Sequence, residues 1–241
     1  MSRVLVLALL SGCGRLGFSD MPSTGVNDSG APADELGFSQ DAVILGDGIA
    51  APACGTTPLL QDGFDVSAPG PTFGTYTDNG LTLREINSRL EVVFNSSVSD
   101  GRYAGYKAVT ATPTEGLCAI VRVVQVAANN GISFFKLTSG LQQVEFAVRA
   151  NFLQIRTHLD KQVATLLSIA FDPSMHAYWR LRQQGGVTYW DTSADGTAFT
   201  ALASTTFVTD PMLFYELGAG SFGATSNGGI AAFDDAALFG P

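Results

Sequence analysis

The chain has 241 residues, of which 46% are hydrophobic and 10% aromatic, and it carries three cysteines and a formal net charge of −9. This composition supplies ample apolar surface for a core, and it excludes a disordered chain, a coiled coil and a disulfide-dense miniprotein. The negative charge excludes nucleic acid as a partner, because phosphate contacts require clustered Lys and Arg.

The acidity is concentrated near the N-terminus. Between residues 16 and 83 there is no Lys or Arg, and nine acidic residues occur in that stretch. From Arg84 onward the basic and acidic residues nearly balance. The negative charge therefore predicts a solvated, self-repelling tether rather than an acidic binding face.

The first residues have the features of an export signal. Arg3 precedes an apolar run over residues 4–10, which is too short to span a membrane but sufficient for the core of a signal peptide. The run ends in Leu10-Ser11-Gly12-Cys13, an arrangement that resembles the lipobox of bacterial lipoproteins. An ordinary secretory signal with a chance cysteine is the alternative.

The lipobox resemblance implies that residues 1–12 are a signal peptide and that Cys13 is the first mature residue. Acyl chains on Cys13 would then anchor the protein to a membrane, since two or more chains give stable attachment. Gly14 stands where an Asp would favour retention in the inner membrane. The resemblance therefore implies a lipid-anchored protein of the cell envelope, located at the outer membrane in a Gram-negative cell and facing the periplasm or the cell surface.

Residues 13–57 are predicted to form a flexible acidic linker, because turn-forming residues dominate there and no apolar run is long enough for a core. If Cys13 is lipidated, Cys54 and Cys118 remain as a pair in an oxidising compartment, which favours a disulfide between them. Two buried free thiols are the alternative.

Residues 58–241 are predicted to form one all-β domain. Short alternating segments follow one another, separated by Gly, Asn, Asp and Pro, and no window sustains a helical period. The predicted strands cover residues 81–84, 90–94, 102–110, 117–126, 132–137, 143–149, 152–158, 163–171, 177–182, 187–192, 199–202, 213–217 and 230–238. About 12–14 strands with short turns predict an antiparallel β-sandwich.

The most distinctive segment is H-x-Y-W-R-L-R, which begins at His176, followed by G-G-x-x-Y-W-x-T-S-x-D-G-x-x-F, which ends at Phe199. This arrangement resembles the laminin-G-like bacterial branch of the concanavalin A-like lectin/glucanase superfamily. Gly63-Phe64-Asp65 and the segment 232–235 are similar to the first and last strands of that superfamily. The resemblance implies a jelly-roll sandwich and leaves the ligand undefined.

Glucanases of this superfamily resemble one another in an E-x-D-x-x-E strand, whose alternation places the carboxylates on one face for a retaining mechanism. That run is absent here: Glu145 is the one acid on its strand, and Asp234 and Asp235 are adjacent and so point to opposite faces. We therefore expect no glucanase of that type and no catalytic residue.

Other chemistry is not indicated. Gly218–Gly223 matches G-x-G-x-x-G and overlaps a nucleophile-elbow pattern, but no helix and no downstream His follow, so we interpret it as a Gly-rich loop. His158 and His176 have no metal-ligand spacing, and His176 is predicted to anchor the turn after Pro173. We expect no cofactor and no metal, although calcium bound through loop carbonyls, as in relatives of this fold, stays open.

Glycan recognition requires exposed aromatic platforms flanked by polar groups. Alternation places Trp179 and Trp190 in the core and several Tyr and Arg residues on the opposite faces. The candidate ligand-binding residues are Tyr103, Tyr106, Arg122, Arg149, Arg156, Tyr178, Arg180, Arg182 and Tyr189.

These observations predict a lipid-anchored, non-catalytic binding module that recognises glycan or another surface polymer. The alternative is a structural or protein-interaction lipoprotein without affinity for sugars. A glycosidase or lyase with an unrecognised constellation is a lesser alternative, and two carboxylates on one face of the folded domain would favour it. The sequence does not define the oligomeric state.

Overall fold

Seventeen strands and no helix make up the described part of the computed structural model, which covers residues 43–44, 54–65, 73–95, 97–206, 208 and 210–240. The strands are β1 (Val43–Ile44), β2 (Pro58–Asp62), β3 (Phe73–Thr77), β4 (Leu81–Glu85), β5 (Leu90–Phe94), β6 (Tyr103–Ala108), β7 (Thr112–Pro113), β8 (Cys118–Gln125), β9 (Gly131–Thr138), β10 (Gln142–Arg149), β11 (Phe152–Leu159), β12 (Gln162–Ala170), β13 (Tyr178–Gln184), β14 (Val187–Ser193), β15 (Thr200–Thr205), β16 (Met212–Ser221) and β17 (Ile230–Phe239).

The strands form two antiparallel sheets. The nine-stranded sheet has the order β1-β15-β14-β13-β8-β17-β5-β4, with β2 also paired to β17. The eight-stranded sheet has the order β12-β11-β10-β9-β16-β6-β3, with β7 also paired to β16. Strands distant in sequence are therefore neighbours in space: β16 lies between β9 and β6, and β17 between β8 and β5. The prediction of an all-β jelly-roll sandwich is confirmed.

The core lies between the sheets and follows the alternation of each strand. Trp179 and Leu181 of β13 and Trp190 of β14 are fully buried there, opposite Phe146 of β10. The rings of Phe146 and Trp179 stack with centroids 5.5 Å apart, and full burial of one such Phe side chain contributes about 1.5–3 kcal/mol. The indole Nε1 of Trp190 also donates a 3.1 Å hydrogen bond to the backbone oxygen of Glu145, so it joins the two sheets.

All thirteen strands predicted from the sequence are present, and β1, β2, β3 and β7 are additional. β1 lies inside the segment predicted to be a flexible linker, and it pairs with β15. The reason is that an open sheet edge presents unpaired N–H and C=O groups that a short extended segment can satisfy.

The disulfide between Cys54 and Cys118 is confirmed, with the two Cα atoms 5.7 Å apart. Cys118 is the first residue of β8 and pairs with Arg182 of β13. Its side chain therefore lies on the face of the nine-stranded sheet that is turned away from the core, which we call the outer face. The disulfide attaches the start of the predicted domain to that face.

The signal peptide predicted over residues 1–12, the acylation at Cys13 and most of the linker over 13–57 lie outside the described residues. Within the described residues no apolar helix of membrane-spanning length occurs.

Candidate functional site

A row of five charged side chains crosses the outer face of the eight-stranded sheet. The register aligns Lys107 of β6 with Glu216 of β16, Glu216 with Lys136 of β9, Lys136 with Glu145 of β10, and Glu145 with Arg156 of β11. The residues on either side of each of them along the strands point into the core, because side chains alternate. We call these five residues the charged row; its charges alternate in sign.

Glu145 is the most enclosed carboxylate of the charged row, with 3% of the residue exposed. Gln143 donates a 2.6 Å hydrogen bond from its Nε2 to Oε2 of Glu145. The other carboxylate oxygen is ion-paired with Arg156 and lies 3.3 Å from Nε2 of His158.

The pKa of Glu145 is lowered from its ordinary value. Burial raises this pKa, but the hydrogen bond of His158 and the charges of Arg156, His158 and Lys136 together outweigh burial. Glu145 is therefore ionised at neutral pH.

Glu216 is the second carboxylate of the charged row, with 8% of the residue exposed. Its Oε1 lies 3.0 Å from Nζ of Lys136 and accepts a 2.7 Å hydrogen bond from the hydroxyl of Tyr76. Burial and the neighbouring Glu216 carboxylate raise the pKa of Tyr76 well above its usual range. Tyr76 thus stays protonated and orients the carboxylate.

Glycines allow the tyrosine rings to lie close to the sheet. A Cβ on Gly105 would fall 2.8 Å from the hydroxyl of Tyr76, and a Cβ on Gly220 would fall 2.3 Å from the ring of Tyr103. Tyr103 also contacts Phe134 edge-on, with ring centroids 6.1 Å apart. Residues 218–221 belong to β16, so the interpretation of 218–223 as a Gly-rich loop is wrong for its first four residues.

A depression of about 250 Å³ lies on the same face, beside the charged row. Its wall is formed by Arg149, Ala150, Phe152, Gln154 and Ser168. Gln154 of β11 pairs with Ala147 of β10, which is the next outward-facing residue after Glu145 on that strand. The depression is therefore continuous with the part of the face that holds Glu145.

The outer face of the nine-stranded sheet carries a different ionic arrangement. The Nε atoms of Arg180 and Arg182 each lie 2.8 Å from Oδ2 of Asp191, and Asp191 is completely buried. Phe199 and Tyr189 lie under the two guanidinium groups. Burial lowers the pKa of Arg180, and the adjacent Asp191 opposes that effect. This cluster is an enclosed ion network.

The candidate ligand-binding residues are distributed over both faces and the core. Tyr103, Arg149 and Arg156 lie on the face of the charged row. Five others lie on the outer face of the nine-stranded sheet: Arg122, Tyr178, Arg180, Arg182 and Tyr189. Tyr106 is 2% exposed, so the expectation that it lies on an exposed face is wrong; its hydroxyl donates a hydrogen bond to the partly buried Glu85 of β4.

Sequence analysis missed four residues of this face: Tyr76, Lys107, Lys136 and Glu216. The alternation of Leu213, Tyr215 and Leu217 marks Glu216 as outward-facing. The missing information was the order of strands in the sheet, because nothing in the sequence indicates that β16 is inserted two strands from β10.

The predicted role of His176 is confirmed, since its Nδ1 accepts a 3.1 Å hydrogen bond from the backbone N–H of Asp172 and closes that turn. In the described part of the chain no group of three or more His, Cys, Asp or Glu side chains could hold a metal ion. Calcium binding through loop carbonyls stays a prediction.

No protein-family model matches this sequence, and a comparison with curated proteins gives no match. Solved structures do share the fold. A glycosyl hydrolase family protein from Mycobacterium fortuitum aligns with a TM-score of 0.57 at 12% identity, over 76% of this chain and 100% of the other. The catalytic domain of an endo-1,3-β-glucanase (laminarinase) from Thermotoga petrophila RKU-1 aligns with a TM-score of 0.55 at 9% identity, over 76% and 97%. An endo-β-1,3-glucanase from Pyrococcus furiosus aligns with a TM-score of 0.56 at 9% identity, over 76% and 94%.

These comparisons correct one expectation. The predicted non-catalytic binding module, and with it the expectation that the chain is not an enzyme, is wrong, because solved structures similar to this chain include several glycosyl hydrolases and β-glucanases. The physical reason for the error is that carboxylates were sought along one strand, whereas Glu145 and Glu216 face the same side from two strands. The chain has a jelly-roll fold, which it shares with these solved structures.

Proposed function

We propose that this protein is a glycoside hydrolase that cleaves a polysaccharide, with Glu145 and Glu216 as its carboxylate pair. The observation that carries the proposal is that these two glutamates flank Lys136 on one sheet face. The endo-1,3-β-glucanases among the similar structures make β-linked glucan the first substrate to test.

The spacing of the pair selects the stereochemistry. Neighbouring strands lie about 4.8 Å apart, so the Cα atoms of residues two strands apart are separated by about 10 Å. Carboxyl groups about 6.5–9.5 Å apart leave room for a water molecule and give inversion, whereas retention requires about 5–5.5 Å. Side chains that rise in parallel from two strands keep about the separation of their Cα atoms, which is nearer the inverting range than the retaining one. We therefore propose inversion.

The environment of Glu145 assigns one of the two roles. Glu145 is held ionised by His158, Arg156 and Lys136, as a general base that activates water must be. Glu216 is the other carboxyl of the face, and the hydroxyl of Tyr76 orients it. We assign to Glu216, by elimination, the transfer of a proton to the leaving oxygen. Because Glu216 is the ion-pair partner of Lys136, it must take up that proton from solvent before each turnover.

The test is the release of reducing ends from laminarin and from mixed-linkage β-glucan. Loss of a general acid or base costs about 10²–10⁴-fold in rate, so Glu145→Gln and Glu216→Gln should each lose at least about 100-fold while remaining folded. Glu91→Gln is the matched control, because Glu91 is ion-paired with Arg84 on the other sheet. Proton NMR of the first products should show the inverted anomer.

The proposal fails if the folded wild-type protein releases no reducing ends, or if the two variants stay as active as Glu91→Gln. A retained anomer would be compatible with hydrolysis but would contradict the assignment of Glu145 and Glu216 as the catalytic pair.

We also propose that Cys13 is acylated and anchors the protein to the cell envelope, on the strength of Leu10-Ser11-Gly12-Cys13. Metabolic labelling with a fatty-acid probe should mark the wild type and not Cys13→Ala. Equal labelling of both proteins would exclude the anchor.

A further inference from the structure

Arg149 stands at the mouth of the depression without a carboxylate partner. It is the last residue of β10 and is half-buried, and its guanidinium lies over the ring of Phe222. Within the described part of the chain no acidic side chain lies within ion-pair distance of Arg149. A guanidinium stacked on an aromatic ring keeps its N–H groups in a plane, available for a bidentate acceptor.

The other arginines of the two outer faces are satisfied differently. Arg156 is paired with Glu145 and Arg180 with Asp191, and Arg122 lies 3.2 Å from Asp234. A half-buried cation without an ion-pair partner carries a desolvation cost, which the Phe222 ring and the charge of Asp100 offset only in part. The pKa of Arg149 reflects this state: burial lowers it first, then the charge of Arg156, and Asp100 only partly opposes them.

The strand residues of this face also carry an excess of positive charge. Lys107, Lys136, Arg149 and Arg156 face two carboxylates, Glu145 and Glu216. Lys136 and Arg156 are ion-paired with the two carboxylates, so the excess positive charge lies on Lys107 and Arg149. This surplus occurs in a protein of net charge −9, so it is a local property of the face.

The depression itself has the components of a sugar subsite. Phe152 is 49% exposed and Phe222 is 43% exposed, which gives two aromatic surfaces next to the cation. Gln154 and Ser168 supply hydrogen-bonding groups in the same wall. Aromatic faces beside a few convergent polar groups are typical of small-molecule and sugar sites.

We propose that this depression is an anion subsite in which Arg149 binds the carboxylate or sulfate group of an acidic polysaccharide. The inference rests on the proposed function to the extent that the same polymer extends from the subsite to Glu145. An uncharged glucan would leave the guanidinium of Arg149 unpaired, whereas a carboxylate or sulfate oxygen pair matches its fork and makes charge-assisted hydrogen bonds.

The experiment compares three forms of one polymer: laminarin, carboxymethyl-laminarin and laminarin sulfate. Binding is measured by biolayer interferometry at 4 °C with the purified protein, independently of hydrolysis. Arg149→Gln removes the cation of the subsite. Lys161→Gln is the matched control, because Lys161 is an exposed cation in the turn at the opposite end of β11.

We expect the wild type and Lys161→Gln to bind at least one charged form about tenfold more tightly than laminarin, since a bidentate charge-assisted pair is among the strong interactions. Arg149→Gln should lose most of that preference and keep its affinity for laminarin. The charged form that responds more strongly to Arg149→Gln identifies the source of the anion, carboxylate or sulfate.

Equal affinity for the three polymers would overturn the inference, as would a preference that is the same in Arg149→Gln and Lys161→Gln. A protein that hydrolyses laminarin and shows no preference keeps the proposed function and loses the anion subsite. A protein that prefers a charged form through Arg149 and hydrolyses none of the polymers keeps the subsite and loses the proposed function.

Discussion

The outer faces of the two sheets both carry arginine and acid on central strands, and they differ in how the charges are balanced. On the nine-stranded sheet two arginines share one oxygen of the fully buried Asp191. On the eight-stranded sheet five charges alternate across five strands, and Arg149 is left over. The first arrangement is closed on itself, whereas the second has polar groups and a cation that a ligand can engage.

The difference shows that an unpaired cation beside a surface depression distinguishes the candidate site from a structural ion cluster. Residue type does not distinguish them, and neither does burial, because Glu145 is 3% exposed. Both faces have the same alternating signature of arginines opposite apolar residues. Removing one partner from a closed buried cluster leaves the other charges buried without a counter-ion, so it lowers the stability of the fold. Removing one charge from the open face should cost function first.

The largest expected effect is on the closed cluster. Asp191→Ala leaves Arg180 and Arg182 buried without a counter-ion, which should lower the free energy of unfolding by about 3–5 kcal/mol. Arg84→Gln is the control, because it breaks the exposed pair with Glu91 and should cost about 0–1 kcal/mol. Urea denaturation followed by intrinsic fluorescence measures both. Equal losses of unfolding free energy in the two variants would show that the buried cluster is no more important for stability than the exposed pair.

The disulfide tests whether the two faces are energetically separate. Cys54→Ser opens a crosslink between residues 64 positions apart in sequence, and the chain-entropy model predicts a loss of about 4 kcal/mol. Because Cys118 lies on the outer face of the nine-stranded sheet, glucan hydrolysis at 20 °C should be retained by the fraction that is folded. Thermal unfolding of this variant and of the reduced wild type should agree. An inactive but fully folded variant would show that the faces are coupled.

Close packing of Tyr76 over the sheet can be tested at Gly105. A Cβ there would lie 2.2 Å from the backbone oxygen of Leu217 and 2.8 Å from the hydroxyl of Tyr76, so Gly105→Ala should cost about 1–3 kcal/mol by overpacking. It should also lower hydrolysis, because the hydrogen bond from Tyr76 to Glu216 is disturbed. A Cβ on Gly140 meets no atom within 4 Å, and Gly140→Ala should be neutral in both measurements. Full activity in Gly105→Ala would show that the position of Tyr76 does not matter for hydrolysis.

The smallest effect is on the pH dependence of stability. The pKa of Glu145 is lower in the folded state than its ordinary value, which is about 4.3 in the unfolded chain. Its stabilising contribution is therefore fully present above about pH 4.3 and is lost as the pH falls through the lower folded-state pKa. The difference in stability between the wild type and Glu145→Gln should shrink as the pH falls from 5 to 3. A difference that stays constant over this range would show that Glu145 is not held ionised by its neighbours.

The alternation of apolar and polar residues was enough to place most strands and both core tryptophans, because each strand carries its own pattern. The alternation correctly predicts Glu145 on a polar face. It does not indicate a catalytic role, because Glu145 has no acidic partner on β10. Its partner Glu216 lies on β16, which is inserted between β9 and β6. Pairing between distant strands depends on the packing of the whole sandwich, so it could not be derived from local patterns. For the same reason Tyr106, next to outward-facing Gly105, was taken as exposed although its hydroxyl meets Glu85 from the other sheet.

The hydrogen bond from Trp190 to the backbone oxygen of Glu145 has a consequence for how this fold can vary. It connects the peptide of Glu145 to a side chain of the opposite sheet, so the backbone position of this enclosed carboxylate depends on the packing of the core. Substitutions of the side chains around Glu145 should therefore leave its backbone in place. Substitution of Trp190 would have the opposite result: it would remove this hydrogen bond and allow the backbone of Glu145 to shift relative to its neighbours.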